Sequence, residues 1–168
     1  SRGTLRYDND LAAYVPDRPF QATYVAGAAA GSMGLAECLQ DGARAGSRAA
    51  AAAGFGDGTA PPVPAVAVDG HRTGRGHPLW VVPSTTGSWD THFVDLARDA
   101  TVEDLRRATG AGLQSIEHIK RFTTIGTASD QGKTSWMNAS AIAGALMGVA
   151  DGATGLPTFR PPYSPANF

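Results

Sequence analysis

Gly132-Lys133-Thr134-Ser135 places a lysine and two hydroxyls just ahead of an apolar stretch whose spacing predicts a helix. At such a helix start the unpaired amides and the positive end of the dipole favour an anion, so a phosphate suits the chemistry. A capped helix with a solvated lysine accounts for the same residues. The phosphate loop of nucleotide hydrolases is excluded. Its first glycine would have to stand at Thr127, Gly126 is one residue too far away, and no apolar strand leads into the loop.

Other chemistries find less support. Gly54-x-Gly56-x-Gly58 and Gly74-x-Gly76 neither follow a strand nor open a helix, so they read as loop glycines and not as a dinucleotide fingerprint. His71, His77, His92 and His118 lack clustered cysteines or carboxylates, and no metal site is expected. The single cysteine, Cys38, excludes an internal disulfide or a cysteine-based cluster made by this chain alone, and fits a reducing cytoplasm. No G-x-S-x-G turn presents a nucleophilic serine.

The elements that must position these residues are short. Thr23 to Ala28 reads as a strand ending in small residues, after a break at Pro16-Asp17-Arg18-Pro19. A helix is predicted from Leu35 to Ala53, with Gly42, Gly46 and Ala50 on one stripe that would lie tightly on a sheet; a helix of weak propensity with no ligand accounts for these residues equally well. From Gly54 to Asp90 glycine and proline dominate; this is a connector in which Val66, Val68 and Trp80 to Val82 could form short edge strands. Thr101 then caps a helix with Val102, Leu105 and Ala108 on one face and Glu103 and Asp104 in its first turn. Gly110 and Gly112 end it, and Ser115 opens a second helix carrying Ile116 and Ile119. A third begins near Thr134, with Met137, Ala141, Ile142, Ala145, Leu146 and Val149 as its apolar stripe. The tail beyond Gly155 is too rich in proline to be anything but extended.

Composition agrees with this patchwork. Of 168 residues 42% are hydrophobic, but 30 of these are alanine, leaving a thin core that packing against a partner would supplement. A formal net charge of -1 removes the electrostatic reason to expect nucleic acid. No apolar run is long enough to span a membrane, and the start of the chain does not read as a secretory signal.

The stretch His92-Phe-Val-Asp-Leu-Ala-Arg-Asp-Ala-Thr-Val-Glu-Asp-Leu-Arg-Arg-Ala, with Ser115-Ile-Glu-His-Ile-Lys-Arg-Phe-Thr-Thr-Ile-Gly and Ser129-Asp-Gln-Gly-Lys-Thr-Ser, resembles the alpha subunit of heterotetrameric sarcosine oxidase. The resemblance extends to Tyr24-Val-Ala-Gly-Ala and to Thr158-Phe-Arg-Pro-Pro-Tyr-Ser-Pro. It implies an α+β chain: residues 1–54 as the end of a dinucleotide-binding domain, 55–90 as linker, 91–150 as a three-helix module, and 151–168 as the lead-in to an absent folate-type domain. The chain then reads as a fragment or a split subunit. Gly27-Ala28 stands where flavin-binding relatives carry Gly-Asp, which suits NAD better than FAD. The helical module is similar to small [2Fe–2S] domains, but their cysteine positions fall on Asp95, Ala97, Asp130 and Ser135, none of which supplies a thiolate.

The resemblance further implies FMN between the alpha subunit and a beta subunit. Thr123, Thr124, Gln131, Lys133, Thr134 and Ser135 are then the candidate cofactor-binding residues, with the helix start neutralising the phosphate. It implies FAD on the partner subunit, NAD in the complete dinucleotide domain and tetrahydrofolate in the absent domain. The reaction would be oxidative demethylation of sarcosine or a similar secondary amine to glycine, giving hydrogen peroxide and formaldehyde or methylene-tetrahydrofolate. The alternative is a non-catalytic docking or scaffold subunit of an oxidoreductase complex.

Overall fold

The computed structural model describes residues 3–67 and 77–158, in two compact units, 1–77 and 78–168. The fold is α+β, with four α-helices and two two-stranded antiparallel sheets among the described residues. No helix among them is long and apolar enough to cross a membrane.

The first unit opens with a hairpin of β1 (Gly3–Asp8) and β2 (Ala13–Pro19), in register at Arg6 and Val15 and at Tyr7 and Tyr14. The Asp8 carboxylate ties the turn by accepting from the Asp10 and Leu11 amides at 3.1 and 3.2 Å. Tyr7 and Tyr14 meet edge to face, with centroids 5.2 Å apart. The prolines that read as a break therefore lie inside a strand. A two-stranded sheet leaves one side of each ladder unpaired, so Pro16 and Pro19 remove no essential donor. The expected strand from Thr23 to Ala28 does not form. Residues 23–26 are irregular and Gly27–Ala30 make a turn of 3₁₀ helix, because a strand has no ladder without a partner and none of the described residues supplies one.

Helix α1 spans Leu35–Ala52, close to its predicted limits. Its entry is fixed by Ser32, whose hydroxyl donates to Asp41, and by Glu37, which accepts from the Gly34 amide at 3.4 Å. The helix has no buried residue. Gly42 and Gly46 are exposed, and a Cβ at either would meet nothing within 4 Å, so the expected tight contact with a sheet is absent among the described residues. Residues 54–67 and 77–90 carry neither helix nor strand. The edge strands expected at Val66 and Trp80 to Val82 are therefore not formed, and Val68 lies outside the described residues. Trp80 and Val81 instead pack against the core of the second unit, while Val82 is exposed.

The second unit holds β3 (Phe93–Asp95) paired with β4 (Ala100–Thr101), then α2 (Val102–Gly110), α3 (Ile116–Thr123) and α4 (Trp136–Met147). Asp104 accepts from both the amide and the hydroxyl of Thr101, closing the predicted cap. Val102, Leu105 and Ala108 from α2, Ile116 and Ile119 from α3, Ile125, and Trp136, Ala139, Ile142 and Ala143 from α4 form one buried cluster. The face of α4 departs from expectation: Ala145, Leu146 and Val149 are exposed, while Trp136, Ala139 and Ala143 turn inward. This helix is apolar almost all round, so periodicity alone does not fix its rotation. Up to Thr158 the tail has turns and extended chain, with Pro157 buried; the rest of the predicted extended tail, 159–168, lies outside the described residues.

Candidate functional site

The six candidate residues lie in or beside the loop joining α3 to α4, and a buried carboxylate supports that loop. Asp95, at the end of β3, is 3% exposed. Its Oδ1 accepts from the Ala97 and Arg98 amides at 3.0 and 3.2 Å. Its Oδ2 accepts from the Gly126 amide at 2.7 Å and the Ser135 hydroxyl at 3.3 Å. One side chain thus joins the β3 turn, the chain after α3 and the start of α4. Arg98 adds a second tie, donating to the Thr127 carbonyl at 2.8 Å.

Trp136, the first residue of α4, fills a notch made by two glycines with positive φ, Gly126 at +71° and Gly132 at +73°. A Cβ on Gly126 would stand 2.2 Å from the indole nitrogen, and one on Gly132 2.1 Å from it. These glycines are required for space as well as for backbone conformation.

The site residues divide into two layers. Thr123 is buried, its hydroxyl donating to the Ile119 carbonyl at 2.8 Å and accepting from the Ile125 amide at 3.3 Å. Ser135 is buried against Asp95. Thr124, Lys133 and Thr134 are exposed, and Gln131 is half-buried with its side-chain amide donating to the Ala128 carbonyl at 3.0 Å.

The predicted helix-mouth cradle already holds a carboxylate. Asp130 accepts from the Gly132 amide at 3.1 Å, the Thr134 amide at 3.4 Å and the Thr134 hydroxyl at 2.7 Å. These bonds, that from the Thr134 hydroxyl foremost, hold the Asp130 carboxyl below the usual carboxylate range. Its contribution to stability is therefore complete above the ordinary carboxylate pKa and is lost as pH falls through the depressed folded value. Asp130→Asn is expected to make the acid unfolding limb of the second unit shallower, measured as thermal midpoint against pH; an unchanged limb would show that Asp130 does not contribute. The sequence carried a sign of this arrangement, an aspartate two residues before a glycine at a helix entry, where Asx turns form.

Asp95 and Ser135, two of the four positions that the sequence resemblance sets against cluster cysteines, are hydrogen-bonded to each other. Among the described residues, no group of three or more His, Cys, Asp or Glu side chains could hold a metal.

Residues 89–168, which include this whole arrangement, match the family described as the sarcosine oxidase A3 domain. The sarcosine oxidase subunit alpha of Corynebacterium sp. (strain P-1) is 46% identical over 176 residues, covering 99% of this chain and 17% of the relative. The chain is a homologue of the sarcosine oxidase alpha subunit. A second such subunit, from Corynebacterium sp. (strain U-96), is 45% identical over 172 residues, again covering 99% of this chain and 17% of the relative. That of Rhizobium meliloti (strain 1021) is 37% identical over 160 residues, covering 95% of this chain and 16% of the relative. The chain thus spans 16 to 17% of the length of these sarcosine oxidase subunits.

Proposed function

We propose that the chain is part of the alpha subunit of a multi-subunit, flavin-dependent amine oxidase of the sarcosine oxidase type, and that its second unit supplies the alpha side of an FMN site shared with a beta subunit. The observation that carries this reading is the two-layered loop in the region matching the A3 domain. Asp95 and Trp136 fix it from beneath, leaving an outer row of Thr124, Lys133 and Thr134 exposed.

The donor set fits the polar side of such a cofactor only in part. The Gly132 and Thr134 amides, which precede α4, are committed to Asp130, so these two do not cradle the phosphate. Lys133 would neutralise the phosphate charge, with Thr124, Gln131 and Thr134 as polar neighbours, while Thr123 and Ser135 hold the loop from its buried side. A bound flavin supplies the two-electron acceptor.

The rest of the proposal concerns the whole enzyme, a cytoplasmic hetero-oligomer. Sarcosine or a similar secondary amine, with oxygen and water, would give glycine, formaldehyde and hydrogen peroxide; tetrahydrofolate, in place of water, would take the one-carbon unit as methylene-tetrahydrofolate. FAD would sit on a partner subunit and NAD in a complete dinucleotide domain. Lys133→Ala is expected to weaken FMN retention in the assembled complex about tenfold, the worth of one charge-assisted contact. Unchanged retention would overturn the assignment. An FMN content of the complex, determined separately from FAD, that survives alteration of residues 120–136 would favour the docking or scaffold reading.

A further inference from the structure

Glu117 and Lys120 stand three residues apart on α3 and grip both polar backbone groups of one distant residue. The Thr158 amide donates to Glu117 Oε1 at 2.6 Å, and the Thr158 carbonyl accepts from Lys120 Nζ at 3.2 Å. Lys120 is only 8% exposed, and its Nζ lies 5.8 Å from the centroid of the Trp136 ring. Burying an ammonium group is costly unless it is paired, and here a main-chain carbonyl and an aromatic face offset the cost. A lysine at this place does nothing for an apolar core that a methionine would not do better. Its charge is explained by the carbonyl it holds.

The chain leading to Thr158 is fastened along its length. Thr154 donates its hydroxyl to the Ser140 carbonyl at 3.0 Å, and the Ser140 hydroxyl donates to the Gly155 carbonyl. Leu156 packs against the core cluster and Pro157 is buried. Residues 154–158 therefore form a strap across α4 and α3. Its last fastening recognises backbone and is indifferent to the side chain at 158.

We propose that Glu117 and Lys120 are a main-chain clamp that latches this strap onto α3 and over the Trp136 side of the module. Hydrogen–deuterium exchange of the full chain, read by mass spectrometry at the Thr158 amide, tests it. Glu117→Ala removes the acceptor of that amide, and Lys120→Met removes the donor to the carbonyl while keeping an apolar body of similar length. Each variant is expected to speed exchange at Thr158 about tenfold or more while leaving the α2 amides at their original rates, the signature of local opening. The double variant is expected to add little to either, because both act on one residue. Unchanged exchange at Thr158, or acceleration spread equally over α2, would overturn the clamp. Glu117 is half-buried, so its variant decides the matter even where Lys120→Met fails to fold.

Discussion

Asp95→Ala is expected to destabilise the second unit by about 3 to 5 kcal/mol, measured by urea unfolding of the full chain. The figure follows from what the substitution strands: the Ala97 and Gly126 amides and the Ser135 hydroxyl lose their acceptor together, and the Arg98 amide keeps only the Asp95 main-chain carbonyl at 3.3 Å. An orphaned buried donor costs about 1 to 3 kcal/mol, and partial hydration of the more exposed turn at residues 97 and 98 keeps the sum below four full penalties. Against a domain stability of about 5 to 15 kcal/mol this is a large fraction.

Two further variants separate charge from shape. Asp95→Asn keeps the shape, but one of its two positions becomes an NH₂ group facing a backbone donor, at Gly126 in one orientation and at Ala97 and Arg98 in the other. A loss of about 2 to 3 kcal/mol is expected. Ser135→Ala removes only the longest of the four bonds and is expected to cost about 1 kcal/mol. An asparagine variant as stable as the parent would show that the carboxylate is dispensable, and the loop would need another support.

What was legible in the sequence was local. The ends of α1, the Thr101 and Asp104 cap and the burial of Val102, Leu105 and Ala108 each depend on residues within a turn or two of one another. Asp95 reaches Gly126 and Ser135 across 31 and 40 residues, and no spacing rule connects such positions. The rotation of α4 was hidden because nearly every side of that helix is apolar; its inward face is set by Trp136, whose place depends on glycines four and ten residues earlier. The hairpin was hidden by prolines that only an unpaired strand edge tolerates. Of the site, the position of the loop was legible from the Gly132-Lys133-Thr134-Ser135 run. Its inner layer was not: Ser135 is held by Asp95 from forty residues away, while Thr123 shares the buried face of α3 with Ile116 and Ile119 and bonds only locally.

Gly126→Ala is expected to cost about 3 to 4 kcal/mol, with Gly132→Ala close behind, and the two losses have separable parts. The left-handed backbone at each position accounts for about 1 to 2 kcal/mol in any residue with a Cβ. The remainder is collision with the indole, because a contact near 2 Å forces Trp136 or the loop to move in a packed interior. Trp136 Nε1 is buried with no hydrogen-bond partner, so Trp136→Phe forfeits no hydrogen bond and costs the lost ring volume and part of the contact with the Lys120 ammonium. It also removes the outer ring atom Cζ2, while its own ring carbons stand close to the places of Nε1 and Cε2 that Gly126→Ala strikes. In the phenylalanine background the cost of Gly126→Ala is therefore expected to fall by about 1 kcal/mol, a part of the collision and not the whole of it. A double-mutant cycle by thermal unfolding would read this as a favourable coupling. Rescue is expected to be weaker at Gly132, because a Cβ there also meets Cδ1 of the ring and the Gly126 Cα at 2.9 Å, and the smaller ring does not clear that backbone atom. Strict additivity at Gly126 would mean that positive φ, and not the tryptophan, demands glycine there, and the notch would then play no part in shaping the loop.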